Sequence, residues 1–459
     1  MALGRRNIER QQELWIPTQN LPQAPRHVFY ETLNKLLAQA DFDRRVEDLC
    51  EPYYAEGGRP GIAPGVFFRM LLIGYFENIS SQRGIAWRCD DSRSLRLFLG
   101  FAPDEETPDH SSLTRIKARL PWEVFETVFT IVLELVANHK LLDGRTVGVD
   151  ATTLEADAAM KSIVRKDTDE NWEQYVRRLA AEDGVEIQSK ADLIRYDKQR
   201  KKKVSNEEWE SPTDPDARIT KMKDGTTHLA YKAEHVVDLK TEAILAAEIY
   251  HADQADSATL IPSLQRAQEN LDRADVATDI EKVVADKGYH KAQTLAECSD
   301  LNGGLGIKTY IPEPESQHER VWTDKPPGYQ QAVCNNRRRT ARDYGKRLQR
   351  RRSEVVERSF AHVCETGGAR RMWSHGLANV RKGYTLSAAA HNLGLILRKL
   401  LGWGKPREFA AQLGALLRAG FGVPPLVQRA QPLQVAVLRS WRRFVTSARV
   451  HVRSIPAAA

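Results

Sequence analysis

The stretch "RTVGVDATTLEADAAM" (residues 145–160) decides how the chain is read. Its apolar run, residues 147–149, predicts a short strand that ends on Asp150 and passes directly into Ala-Thr-Thr. Upstream the pattern is helical, and downstream strands and helices alternate. The stretch therefore marks the change from an all-helical segment to an α/β sheet. In an open α/β sheet, ligands gather at the carboxyl ends of strands. The position of Asp150 raises the question of which other acids join it.

Residues 1–140 read as a helical N-terminal domain. "VFYETLNKLLAQADFDRRVEDLC", "APGVFFRMLLIGYFENIS" and "WEVFETVFTIVLELVANHKLL" repeat apolar residues at three-four spacing, and "EGGRPGIAP" and "APDEETPDHSS" break them. Residues 109–112 form a helix-start signal before "LTRIKARL". That helix, with Arg115, Lys117 and Arg119, reads either as the second helix of a helix-turn-helix or as a plain capped surface helix.

Residues 141–402 form the second unit. "HLAYKAEHVVDL" and "TEAILAAEIYH" predict a hairpin, "SATLIPSLQRAQENLDRA" a helix, and "KVVAD" a strand ending on Asp286. A helix ("KAQTLAECSD") and a strand ("GIKTYIP") follow, so the class is α/β with a mixed sheet. A polar helical and loop insertion occupies about residues 155–225, and residues 403–459 form a basic tail. In "YHADQADS", His251 and Asp253 lie within reach of a site, but the Asp-Ser cluster reads better as a helix N-cap. Lys232 and Tyr289 lie in suggestive blocks and receive no role.

Composition narrows the partners. The 459 residues carry a net charge of +7 and a pI of about 9.0. Ten Lys or Arg stand against three acids between positions 337 and 358. Such a run is either a solvated helix face or a polyanion-binding face, since clustered cations gain affinity by releasing counterions from phosphates. Five scattered cysteines make no CxxC pair, which points away from a disulfide framework or a zinc knuckle. No apolar stretch is long enough for a membrane span, and "MALGRRNIERQQELW" lacks a signal-peptide core.

Two acids at the ends of neighbouring strands make an oxygen-rich site suited to Mg²⁺. Two ions about 3.5 to 4 Å apart hold the attacking and leaving oxygens of a phosphodiester displacement. A third carboxylate normally closes such a site. The candidates are Glu354 and Glu357, three residues apart in the arginine run and beside a stripe of Val356, Phe360 and Val363. An ordinary Glu–Arg surface ladder is the plain alternative for either.

"VGVDATTLEADAAMKSIV", "VVADKGYHK" and "RRRSEVVERSFAHVCETGGARRMWSHGLANVRKGYTLSAAAHNLGLILRKLLG" together resemble the DDE transposases of bacterial insertion sequences, over roughly residues 25–402. The resemblance implies an RNase H-like catalytic core and a helical, DNA-binding N-terminal domain. It implies Asp150, Asp286 and Glu357 as catalytic acids and ligands of two Mg²⁺ or Mn²⁺ ions. It further implies cleavage at terminal inverted repeats, transfer of the 3′-OH to target DNA, a homodimer in the synaptic complex, and a cytoplasmic, nucleoid-associated protein. The chain departs from the family pattern Y-x2-R-x3-E-x6-K, because Arg350, Ser353 and Cys364 stand at the Tyr, Arg and Lys positions. Arg350, Arg351, Arg370, Arg371, Lys382 and Arg115 are the candidate DNA contacts. The rival readings are an RNase H-like nuclease that does not join strands and an inactive, domesticated DNA-binding protein.

Overall fold

The computed structural model describes residues 27–407, except 56, 58–60, 201–203, 223–224, 300–302, 316–319 and 324. The basic tail beyond residue 407 lies outside the described residues. Among the described residues, seven α-helices precede the sheet, with a short 3-10 turn at Glu51–Tyr53: α1 (Val28–Gln39), α2 (Phe42–Cys50), α3 (Pro64–Glu77), α4 (Gln82–Asp91), α5 (Arg93–Leu99), α6 (His110–Arg119) and α7 (Trp122–Asn138). Pro64 starts α3, where its missing N–H costs nothing, and Asn78 ends it in the left-handed conformation. Asp109 caps α6 by accepting from the Ser111 N–H, as the sequence predicts. Arg69 is buried on α3. It forks onto both oxygens of Asp43 on α2 at 2.8 and 2.7 Å and lies 4.9 Å from the centre of the Phe98 ring of α5, so one side chain ties three helices together. The helix-turn-helix reading of α6 needs a short turn before it. Ten residues, 100–109, separate α5 from α6, so the short-turn arrangement is not formed there.

The second unit opens with β1 (Thr146–Ala156). The insertion holds β2 (Val164–Arg165), α8 (Trp172–Glu182), α9 (Lys190–Gln199) and β3 (Trp209–Glu210), then β4 (Arg218–Lys221) rejoins the main sheet. There follow β5 (Thr227–Asp238), β6 (Ile244–His251), α10 (Asp256–Arg273), β7 (Lys282–Ala285), α11 (Ala292–Cys298), β8 (Lys308–Tyr310), α12 (Tyr329–Ala341), α13 (Asp343–Phe360), β9 (Arg371–Met372) and α14 (Leu377–Leu401). β5 runs antiparallel to β1 and β6, while β7 and β8 join β1 in parallel. The resulting order β6-β5-β1-β7-β8, with helices on both faces, is an RNase H-like mixed sheet. The expected N-cap in "YHADQADS" is not formed. α10 starts after Ala255 without a side-chain cap, and Asp256 instead pairs with Lys232 at 2.7 Å. Asp253 faces Arg218 at 3.7 Å, and His251 Nδ1 lies 2.8 Å from the Asp216 carbonyl.

β1 does not end on Asp150. β5 pairs with it without interruption from Val147 to Glu155, which places Asp150 inside the strand, opposite His235. What ends near Asp150 is the partner on the other edge, since β7 pairs only as far as Val149. β9 takes up that edge again at Glu155 and Ala156. Residues 150–154 therefore border a gap in the sheet.

Side chains alternate between faces along each strand. On one face, α10 covers Lys232 and Glu234 of β5, and the Thr259 hydroxyl donates to Glu234. On the other, α13 and α14 cover His235, whose ring nitrogens lie 2.8 Å from Ser359 Oγ and 2.8 Å from the Tyr384 hydroxyl. His235 is fully buried, and burial pulls its pKa down to about 3, so it acts as a neutral bridge between the two helices. α14 also packs on α3 and α7, so the helical segment and the sheet share one core. Asn392 of α14 bonds both the N–H and the carbonyl of Ile244 at the start of β6, at 2.9 and 2.8 Å.

Gly148 sets how closely α13 approaches β1. A Cβ at this position would sit 2.8 Å from Val356 Cγ2, 2.6 Å from Leu239 Cδ2 and 3.1 Å from Arg352 Cγ. Gly148→Val should cost about 1–3 kcal/mol through overpacking. Urea unfolding monitored by far-UV circular dichroism should show a lower midpoint with an unchanged slope.

Candidate active site

Two carboxylates adjoin at the break in the sheet. β1 and β7 pair Gly148 with Val284 and Val149 with Ala285. One further step in that register sets Asp150 beside Asp286, on the face that Gly148 shares with α13. Neighbouring strands lie about 4.8 Å apart. Burial holds Asp150 above the usual carboxylate range. The Arg352 guanidinium and the Ala151 N–H oppose that effect, and the negative charge of Asp286 adds to it. Asp286 is exposed and accepts from the Lys287 N–H at 2.7 Å.

Arg352 is the residue that sequence reading passed over. It is buried, and its Nη1 donates to Asp150 Oδ2 at 2.7 Å. Its Nε is buried with no acceptor. The signal was available: Arg352 lies four residues before Val356 on the sheet-facing stripe, where an arginine requires an anion beneath it.

The two candidate third acids are neighbours on α13 but have different partners. Glu354 pairs with Arg351 at 3.3 Å and Arg358 at 2.6 Å, and both arginines reach Glu242 in the β5–β6 turn. That turn lies past the amino end of β1, since the Leu239 N–H donates to the Thr146 carbonyl. Glu357 lies one turn further along α13, about 60° around the helix from Glu354 and away from Arg351 and Arg358. It is exposed, makes no ion pair among the described residues, and accepts from Ser353 Oγ at 2.7 Å. Ser353, which replaces the arginine of the family pattern, is thus the neighbour that holds Glu357. Among the described residues, no three His, Cys, Asp or Glu side chains converge at metal-ligating distance. The charge of Asp286 is felt at Asp150, and no third such side chain joins them among the described residues.

The "DKGY" block positions Asp286. Tyr289 is fully buried, and its hydroxyl donates to Glu234 Oε2 at 2.8 Å, tying the loop after β7 to β5. Gly288 passes so close to Asp256 that a Cβ there would meet Oδ2 at 2.6 Å. Lys232 completes the cluster, 2.7 Å from Asp256 and 3.6 Å from Glu234.

The candidate DNA contacts divide by burial. Arg350 is exposed on α13. Arg351 donates to the Leu239 carbonyl. Arg370 pairs with Glu365 at 2.6 Å and donates to Thr152 Oγ1 at 3.0 Å. Arg371 is exposed and pairs with Asp157 at 3.1 Å. Lys382 is buried and donates to the Lys117 carbonyl, so it does not face solvent as the sequence reading expects. Arg115 is exposed on α6, against Ser111 and Ser112. Cys364, at the family's lysine position, is buried 3.6 Å from the Tyr384 hydroxyl.

The break in the sheet edge, the two aspartates beside it and the helix α13 packed over β1 lie together on an RNase H-like mixed sheet. Comparison with known families places the chain more narrowly. Residues 19–119 match the Transposase domain (DUF772), and residues 191–393 match the Transposase DDE domain. The chain belongs to the DDE-type transposases of the insertion-sequence kind. No curated protein and no solved structure matches it.

Tyr289→Phe removes one donor from buried Glu234 and should cost about 1–3 kcal/mol. Because the same bond anchors the loop carrying Asp286, it should also lower DNA cleavage at temperatures where the variant remains folded. Thermal unfolding followed by a cleavage assay below the transition checks both.

Proposed function

We propose that the chain cuts DNA at the ends of its element and joins the freed 3′-OH to target DNA, using Asp150, Asp286 and Glu357 as its acids. The observation that carries this reading is the β1–β7 register, which sets Asp150 beside Asp286 at the sheet break. Two adjoining carboxylates with only oxygen donors fit a hard divalent cation such as Mg²⁺. Asp150, Asp286 and Glu357 are the residues that would hold two such ions. When bound, these ions lower the pKa of the attacking water or hydroxyl and offset charge on the phosphate.

The chain's own groups prepare the site. Arg352 orients Asp150 and favours its charged form against burial. Tyr289 and Glu234 fix the loop that carries Asp286. Glu357, whose side-chain partner among the described residues is Ser353, would turn towards the two aspartates to complete the set. In the first reaction water attacks phosphorus, the bond to the 3′ oxygen breaks, and that oxygen leaves as a hydroxyl. In the second, this 3′-hydroxyl attacks a target phosphodiester and displaces the target's own 3′ oxygen. Neither reaction needs a covalent bond to the protein. Exposed Arg350, two turns before Glu357 on the same side of α13, is a cation that could meet a phosphate near the site. A homodimer would bring two ends together.

The test uses purified protein and duplex DNA carrying the sequences that flank its gene, with Mg²⁺, Mn²⁺ or chelator. Metal-dependent nicking at the element tip should fall at least about a thousandfold in Asp150→Asn, Asp286→Asn and Glu357→Gln, with DNA binding largely intact. Glu354→Gln should still cut. Cutting lost in Glu354→Gln and kept in Glu357→Gln would move the third acid. Cutting without joining would support a plain nuclease, and binding without cutting under either metal an inactive DNA-binding protein.

A further inference from the structure

A cleft of about 530 Å³ lies between the N-terminal helices and the segment that follows the catalytic helix. α3, the start of α4, and α6 form one wall, and residues 367–375 with α14 form the other. The "TGG" block closes its floor. A Cβ at Gly367 would meet Tyr75 Cε2 of α3 at 2.5 Å, and Gly368 has a φ of +78°, so the two walls touch through glycines.

The cleft contains a cation without an anion. Lys117 of α6 lines it and donates to Ser374 Oγ at 2.7 Å, and it makes no ion pair among the described residues. Its ammonium has three donors. Lys382 is buried beside it, bonded to the Lys117 carbonyl, and also makes no ion pair among the described residues. Burial, and then the charge of Lys382, pull the Lys117 pKa down to about 8. An unpaired ammonium in such a place costs stability unless an anion enters. Arg371 and His375, at the same wall, already share Asp157. Lys382 feels the negative charge of Glu123, so the uncompensated charge at the cleft is that of Lys117. Trp373 stands exposed at the cleft, with the Arg371 guanidinium 4.9 Å from its ring centre.

The position of the cleft indicates its occupant. Its inner wall includes β9, which pairs with Glu155 and Ala156 of β1, five residues past Asp150 on the same strand. Five residues of strand span about 17 Å. On duplex DNA that distance covers roughly five base steps, at about 3.4 Å per phosphate along one strand.

We infer that this cleft binds a backbone phosphate of the DNA being cut, about five steps from the scissile phosphate, with Lys117 as the contact and Trp373 against the adjoining sugar. The inference rests on the DNA-cleaving reading above and adds a second, non-catalytic contact to it.

The experiment measures binding of the full chain to fluorescent duplex carrying its flanking end, across a salt series. Lys117→Gln should bind about tenfold more weakly, with the slope of log K against log salt smaller by about one. Its Tm should be unchanged or higher, because a partly buried ammonium with no acidic partner among the described residues has been removed; a purely structural lysine would lower it. Lys117→Arg should keep most of the affinity. Replacing single phosphates by neutral methylphosphonates should weaken wild-type binding at one position some five steps from the cut, and Lys117→Gln should be insensitive there. Trp373→Ala, a change at an exposed position, should weaken binding without altering Tm. Inorganic phosphate at the same salt should compete no better than sulfate if the site takes a DNA phosphodiester, and selective competition would make it a free-phosphate site instead. Unchanged affinity, salt slope and methylphosphonate profile in Lys117→Gln would overturn the inference while leaving the transposase reading standing. A wild-type chain that does not bind duplex at all would overturn both.

Discussion

The register between β1 and β7 fixes the site. Side chains alternate along strands, so slipping either strand by one residue would turn its aspartate to the opposite face and separate Asp150 from Asp286. The register is held by packing on both faces: Val147 and Val149 fill one, and a slip of β1 would set a valine where only Gly148 leaves room for α13. The two aspartates, 136 positions apart in the sequence with the whole insertion between them, are thereby brought together on neighbouring strands.

α13 depends on that register in turn. It can lie close to β1 only because position 148 has no side chain, and this closeness brings Arg352 within 2.7 Å of Asp150. Glu354 and Glu357 differ in what lies on their flanks. A run of ten cations and three acids does not behave as one charged surface. Arg351 and Arg358 are bound to Glu242 and Glu354, Arg352 to Asp150, and Arg350 stays exposed. A π-helical turn, Ala361–Glu365, follows α13 directly and leads into the glycines that meet α3. α13 and the helical segment are thus linked through a short, continuous piece of chain.

Much of this was legible in the sequence. The alternation of strands and helices after residue 145 gave the α/β class, and the Asp109 cap was read correctly. The strand through Asp150 was read too short. After Val149 the side chains Asp-Ala-Thr-Thr are half-exposed, because that edge of β1 has no partner there, and half-exposed polar residues look like a turn. Arg352 was overlooked because it is one arginine among many. Its burial depends on Asp150, which lies 202 positions away and is brought near only by the fold. Lys117 was noticed as a basic residue on a helix, but its cleft is formed with residues 367–375. The "DKGY" tyrosine was visible as a motif, but its partner Glu234 lies in what reads as an ordinary strand.

The most direct test of the central claim asks where a divalent ion sits on this chain. Fe²⁺ substituted for Mg²⁺ in the DNA complex, with ascorbate and peroxide, cuts the polypeptide near the bound ion, and mass spectrometry maps the cuts. The account predicts three clusters of cuts, around residues 150, 286 and 357, suppressed by excess Mg²⁺ and lost in Asp286→Asn. Cuts confined to other segments, or cuts at these three that persist unchanged in Asp286→Asn, would contradict it.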